Sequence, residues 1–150
     1  MNRIWIAYPE RFEKTLKMVV YDEKGTVGFD HNKVVIKSKS SQVELPNDTE
    51  LAMVRSKFGW GNFSLVMLIT LVYPMIRQQS AVFTTMLLLF VIGIFLFLHL
   101  KHKWIKISFI RGTENQVVYI SDSSGDGWGG IFGGTEKLFN QLQLALDQSE

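Results

Sequence analysis

Asp122-Ser123-Ser124-Gly125-Asp126-Gly127 carries oxygen-bearing side chains at its first, third and fifth places and glycine at its sixth, as a calcium-binding loop begins. Its twelfth place, which needs a bidentate Glu, is Gly133. The expected role is therefore a strand-to-helix turn. The same glycines offer backbone N–H groups to an anion at the start of a helix, yet neither a Walker loop nor a dinucleotide fingerprint is matched. His99 and His102 stand three apart without a nearby Cys, Asp or Glu to complete a metal set, so anchoring at an interface is their expected role. There is no Gly-x-Ser-x-Gly elbow, no His-Glu-x-x-His and no carboxylate pair in a catalytic context. The chain reads as a non-enzyme that requires no metal or cofactor.

What remains is electrostatic and interfacial. Arg55 and Lys57 precede a long apolar region, and Lys101, Lys103 and Lys106 follow it. Cations so placed set the orientation of membrane helices and attract anionic headgroups, at about 1 kcal/mol each. Trp60, Trp104 and Trp128 complete the set of membrane-interface and lipid candidates, because an indole suits the headgroup layer. Gly-Trp-Gly occurs at 59–61 and again at 127–129, each time ahead of an apolar helical pattern.

These residues bracket two apolar runs with a single charged side chain between them. From Phe58 to Ile76 there are 19 residues without a charge and from Gln78 to Leu98 there are 21, with Arg77 between them. Each run is close to the roughly 20 residues that cross a hydrocarbon core, and the link allows only a hairpin. The excess of Lys and Arg outside the hairpin places both termini in the cytoplasm, in the plasma membrane or, in a bacterium, the inner membrane. Met1 to Leu16 lacks the continuous apolar region of a cleavable signal peptide, so the hairpin supplies targeting. A formal net charge of +2, with dispersed cations, excludes nucleic acid as an expected partner. The chain has no Cys, which rules out disulfides and thiolate chemistry.

The flanks are written in strands. Lys17 to Asp22 is β-prone, Glu23-Lys24-Gly25 reads as a turn, and Thr26 to Phe29 follows before a second turn at Asp30-His31-Asn32. Lys33 to Lys37 and Gln42 to Leu45 continue the meander, and Glu50 to Arg55 leads to the membrane. Pro9 to Leu16 suits a short helix with Pro9 at its first position. Beyond the hairpin, Ile105 to Ile110 and Gln116 to Ser121 form a strand pair about a turn at 111–115. Thr135 to Leu146 is an amphipathic helix with its stripe at Leu138, Leu142 and Ala145 and with Thr135 as its N-cap.

Several strands, a strand pair and a final amphipathic helix resemble, in this order, the pleckstrin-homology-like (PH-like) fold, including its bacterial and GRAM-type members. The phrase from Ser121-Asp122 through Gly127-Trp128-Gly129-Gly130-Ile131-Phe132-Gly133-Gly134-Thr135 is similar to one found in small membrane proteins of this kind. The resemblance implies an α+β, mainly β, fold: a bent antiparallel sheet closed by the C-terminal helix and split by an inserted two-helix transmembrane hairpin. On that reading residues 1–57 and 101–150 are the two parts of one cytoplasmic PH-like domain, and 58–100 are the hairpin. The basic signature of phosphoinositide-binding members is not reproduced, since the first strand pair turns at Asp22-Glu23-Lys24-Gly25. The expected function is a membrane-held, non-catalytic module that binds lipid headgroups, anionic ones included, or a protein. The alternative is a structural, accessory or assembly subunit of a larger membrane complex.

Overall fold

The computed structural model describes residues 2–14, 21–30, 33–55, 60–124 and 131–148. The fold is α+β and mainly an antiparallel sheet. In chain order its elements are β1 (Asn2–Ala7), α1 (Pro9–Lys14), β2 (Glu23–Asp30), β3 (Lys33–Ser38), β4 (Gln42–Leu45), β5 (Glu50–Arg55), α2 (Trp60–Ile76), α3 (Ala81–Lys101), β6 (Lys103–Arg111), β7 (Glu114–Asp122) and α4 (Gly134–Asp147).

Seven strands form one sheet in the order β4-β3-β2-β1-β7-β6-β5. The order puts β4 and β5 at opposite edges, although only residues 46–49 separate them in the chain. Laid flat, seven strands would hold those edges about 29 Å apart, whereas five peptide steps reach about 17 Å at most. The sheet must therefore curl until its edges approach each other.

Inside the curl the strands alternate as a half-buried sheet requires. Ile4 and Ile6, Val34 and Ile36, and Ile105, Ile107 and Phe109 point inward, and Leu138, Leu142 and Leu146 of α4 meet them in one buried cluster. α4 packs against β3, β5, β6 and β7, so it spans both halves of the sheet and closes one end. A second cluster lies on the outer face, where Ala7, Trp104 and Tyr119 are buried beneath Phe12 of α1. The Phe12 ring stacks on Tyr119 at 4.0 Å and meets Trp104 edge-on at 5.4 Å.

Several expectations change here. The strand β1 begins at Asn2, in a segment for which no strand is expected; its alternation of Ile4 and Ile6 with Arg3 and Trp5 is the signal for it. Glu23-Lys24-Gly25 is the start of β2 and not a turn. Gly25 is needed there because a Cβ would lie 2.5 Å from the Lys37 carbonyl oxygen and 2.7 Å from Ile6 Cδ1. Residues 17–20, expected to be a strand, lie outside the described residues, as do His31 and Asn32 of the expected second turn. β6 and β7 run closer to each other's ends than expected, and the link between them holds Gly112 at φ 70°. α4 is capped by Gly133 at φ 87°, with no side-chain cap bond, so Thr135 is not the N-cap.

The helices α2 and α3 pack side by side, with Phe63 and Phe95 edge to face at 5.2 Å and Thr70 and Pro74 buried. Gln78, in the link, takes the left-handed conformation at φ 53°. Ala81–Leu98 is long and apolar enough to cross a membrane, and none of it is buried inside the chain. α2 has 17 residues and its apolar stretch, Phe63–Ile76, is shorter than the roughly 20 residues that cross a hydrocarbon core.

Candidate functional site

The helix pair enters and leaves the sheet at neighbouring points. β5 and β6 are hydrogen-bonded partners although α2 and α3 separate them in the chain, and Arg55 stands opposite Lys103 in their register. Partners directly opposite in an antiparallel pair point to the same face. Lys103 shares its face with Ile105 and Ile107, so Arg55 and Lys103 emerge on the α4 side of the sheet.

There they line a cleft of about 730 Å³ together with Lys101, from the last turn of α3, and Glu136, from the first turn of α4. Its apolar walls are Phe97 and Leu100 on α3 and Ile131 and Phe132 before α4, and Phe132 is 73% exposed. Glu136 accepts a hydrogen bond from Lys103 Nζ and forms an ion pair with it. That bond and the charge of Lys103, with a further contribution from Lys101, hold the Glu136 carboxyl below the usual carboxylate range. Glu136 also stands in the first turn of α4, where the free N–H groups favour negative charge.

A short relay fixes the cleft's floor. Ser121 Oγ donates to the Lys103 carbonyl oxygen at 3.1 Å, which leaves it to accept from Thr135 Oγ1, also at 3.1 Å. Thr135 Oγ1 accepts in turn from the Asp122 N–H at 3.1 Å. Ser121 and Thr135 are both buried, so these bonds form without competition from water. The hydroxyl expected to cap α4 thus ties its first turn to β7 and, through Ser121, to β6.

The sequence candidates separate on the fold. Arg55, Lys101 and Lys103 come together in the cleft. Lys106 is on the other face of β6, opposite Ala52. Trp104 is fully buried under Phe12, which replaces the membrane-surface position expected of it with a place in the core. Trp60 is the first residue of α2, and Lys57 and Trp128 lie outside the described residues. The sequence reading did not pick out Glu136; its position one residue past the presumed cap was the available signal.

His102 corrects another expectation. It joins α3 to β6 and is only 2% exposed, so it is no interfacial anchor. Its Nδ1 accepts from Trp104 Nε1 at 3.1 Å, which puts the imidazole proton on Nε2, and the Trp5 ring lies 6.4 Å away. Nε2 has no hydrogen-bond partner among the described residues. Burial pushes the His102 pKa down to about 4, so the ring is neutral at physiological pH.

Elsewhere the polar groups satisfy one another. Asp122, the first residue of the calcium-like segment, accepts from the Ser124 N–H at 3.0 Å and from Ser124 Oγ at 2.7 Å, while 125–130 lie outside the described residues. Glu23, in the presumed first turn, accepts from Tyr8 and from Ser40. Those bonds, Tyr8 foremost, lower the Glu23 pKa; burial and then Glu23 raise that of Tyr8. Among the described residues no group of three His, Asp or Glu side chains converges as a metal set. No family model, curated protein or solved structure matches the chain.

Proposed function

We propose that the chain is a non-catalytic membrane module in which α2 and α3 cross the bilayer as a hairpin and hold a PH-like domain at its cytoplasmic surface, where the domain binds lipid headgroups. The observation that carries this reading is α3: a helix that is apolar on every face and unburied over Ala81–Leu98 has no place in water. It continues into β6 with only His102 between, so the sheet lies against whatever α3 traverses. The strand order and the C-terminal helix that closes the curled sheet suit a PH-like domain. Pairing of β5 with β6 across α2 and α3 suits an insertion that leaves the domain whole.

The length of α2 favours a second reading, an accessory subunit docked on a larger membrane complex. Its 17 residues rise about 26 Å, less than the roughly 30 Å hydrocarbon core, and neighbouring helices shield such a deficit well.

The chain has no Cys, which makes accessibility a clean test. In sealed, right-side-out cells, Gln79→Cys should react with a membrane-impermeant maleimide and Glu150→Cys should react only after lysis. Alkaline carbonate should leave both in the membrane. Release by carbonate would refute the membrane reading, and labelling of Glu150→Cys in intact cells would refute the orientation.

A further inference from the structure

Among the described residues the cleft beside α3 holds three cations and one carboxylate, and its charged floor is continuous with an apolar wall that runs down the helix. A ligand matched to it has an anionic head and an apolar tail attached to that head. We propose that this cleft is the binding site for the headgroup phosphate of an anionic glycerophospholipid, and that Glu136 is an internal anion which the phosphate displaces from Lys103. The proposal rests on the membrane reading above and deepens it by naming the ligand and the residue that competes with it.

Charge and geometry agree. Arg55, Lys101 and Lys103 together exceed Glu136 by two positive charges, an excess that one phosphodiester reduces and does not overturn. Arg55 and Lys103 are fixed on adjacent strands, and the relay from Thr135 through Ser121 to the Lys103 carbonyl holds the strand against α4. The Glu136 carboxylate already occupies the place an anion would take, between Lys103 and the field of Lys101 and within the first turn of α4. Its side chain is half exposed and can turn outward when a phosphate arrives. Phe97 and Leu100 would lie along the upper acyl chain, because they belong to the last turns of the helix that descends into the bilayer.

The competing carboxylate gives the site a signature that general attraction to a charged surface lacks. Arg55→Gln and Lys101→Gln should each weaken binding, by about fivefold. Glu136→Gln should strengthen it, by a factor of up to about five, since the pair it breaks is an exposed one. Glu44→Gln removes the same charge from a carboxylate paired with Lys33 outside the cleft and should change nothing.

The test uses the full chain in a neutral maltoside detergent, titrated calorimetrically with dioctanoyl phosphatidylglycerol, dioctanoyl phosphatidylcholine and glycerol phosphate. Tighter binding of phosphatidylglycerol than of the other two, strengthened in Glu136→Gln and not in Glu44→Gln, supports the site. Equal affinity in wild type and Glu136→Gln overturns the role of Glu136. Equal gains in both Glu→Gln variants reduce the effect to net charge. Glycerol phosphate binding as tightly as the lipid removes the acyl wall from the argument, and absent preference for phosphatidylglycerol removes the site. Each of these leaves carbonate resistance intact, whereas release by carbonate removes the membrane reading itself.

Discussion

Acidification should weaken this protein through one residue, His102, before its carboxylates are protonated. The imidazole is neutral in the fold, with a pKa pushed down to about 4 from an ordinary value of 6.5 by burial. Well above pH 6.5 neither state binds the proton and the fold is unaffected. As the pH falls below that value the unfolded chain takes up a proton that the folded chain refuses, and stability declines until the folded ring titrates as well. Linkage puts the loss at about 2 kcal/mol at pH 5 and about 3 kcal/mol at pH 4. For a domain of this size the former corresponds to a fall in Tm of about 10 °C.

The measurement is thermal unfolding of the full chain in neutral detergent, followed by tryptophan fluorescence between pH 7.5 and 4.5. His102→Gln is the comparison, because its side-chain carbonyl can still accept from Trp104 Nε1 and does not titrate in this range. Carboxylates such as Glu23 and Glu136 stay charged to lower pH in the fold than in the unfolded chain, so their contribution is lost only as the pH falls through their lowered values. They are common to both proteins and cancel in the difference. The wild type should lose its advantage over His102→Gln steadily from pH 6.5 downward. Parallel Tm curves across that interval would show that His102 is not a buried neutral ring, and the reasoning about the α3–β6 joint would fall with it.

Two pairs of neighbouring groups allow further checks by chemical or thermal unfolding. Gly25→Ala should destabilise the domain by about 1 to 3 kcal/mol, since the new Cβ meets the backbone oxygen of Lys37. Gly28→Ala, whose Cβ would find its nearest neighbour at 4.0 Å, should be neutral or stabilising by about 0.5 kcal/mol; equal losses at both sites would exclude close approach as the cause. Thr135→Val keeps the shape and removes the hydroxyl that accepts from the Asp122 N–H and donates to Ser121, so a loss of about 1 to 3 kcal/mol is expected, and an unchanged midpoint would dismiss the relay.

Where the sequence was readable, one local rule acted alone. β3 and β4 lie where the β-prone runs Lys33 to Lys37 and Gln42 to Leu45 place them, and the stripe of Leu138 and Leu142 located α4 to within a residue at each end. It misled where a residue answers to a distant neighbour. Gly25 looks like punctuation until the Lys37 carbonyl is seen beside it. Trp104 has the setting of an interfacial indole, but α1 covers the outer face of β6 and makes it core. Thr135 has the type and position of a cap, and the end of β7 takes its hydroxyl instead. The cations of the cleft were each identifiable by type, while their convergence depended on a pairing that no local pattern encodes.

That pairing also explains why the cleft and the helix pair belong together. Residues 56–102 intervene between β5 and β6, yet Arg55 faces Lys103 directly. Any insertion between hydrogen-bonded strands must leave and return within about 5 Å, and side-by-side helices satisfy this when their outer ends meet the two strand ends. The joint at α3 is the tighter constraint, because His102 alone separates the helix from the strand and is buried. Lys101 and Lys103 flank that buried residue, one at the end of a helix and one at the start of a strand, so Lys103 pairs with Glu136 and the charge of Lys101 acts on it from backbone positions the core fixes. Loosening His102 should therefore loosen the cleft. If phosphatidylglycerol occupies it, His102→Gln should weaken that binding although residue 102 carries no charge and is not part of the cleft lining; unchanged affinity in a folded His102→Gln protein would uncouple the joint from the site.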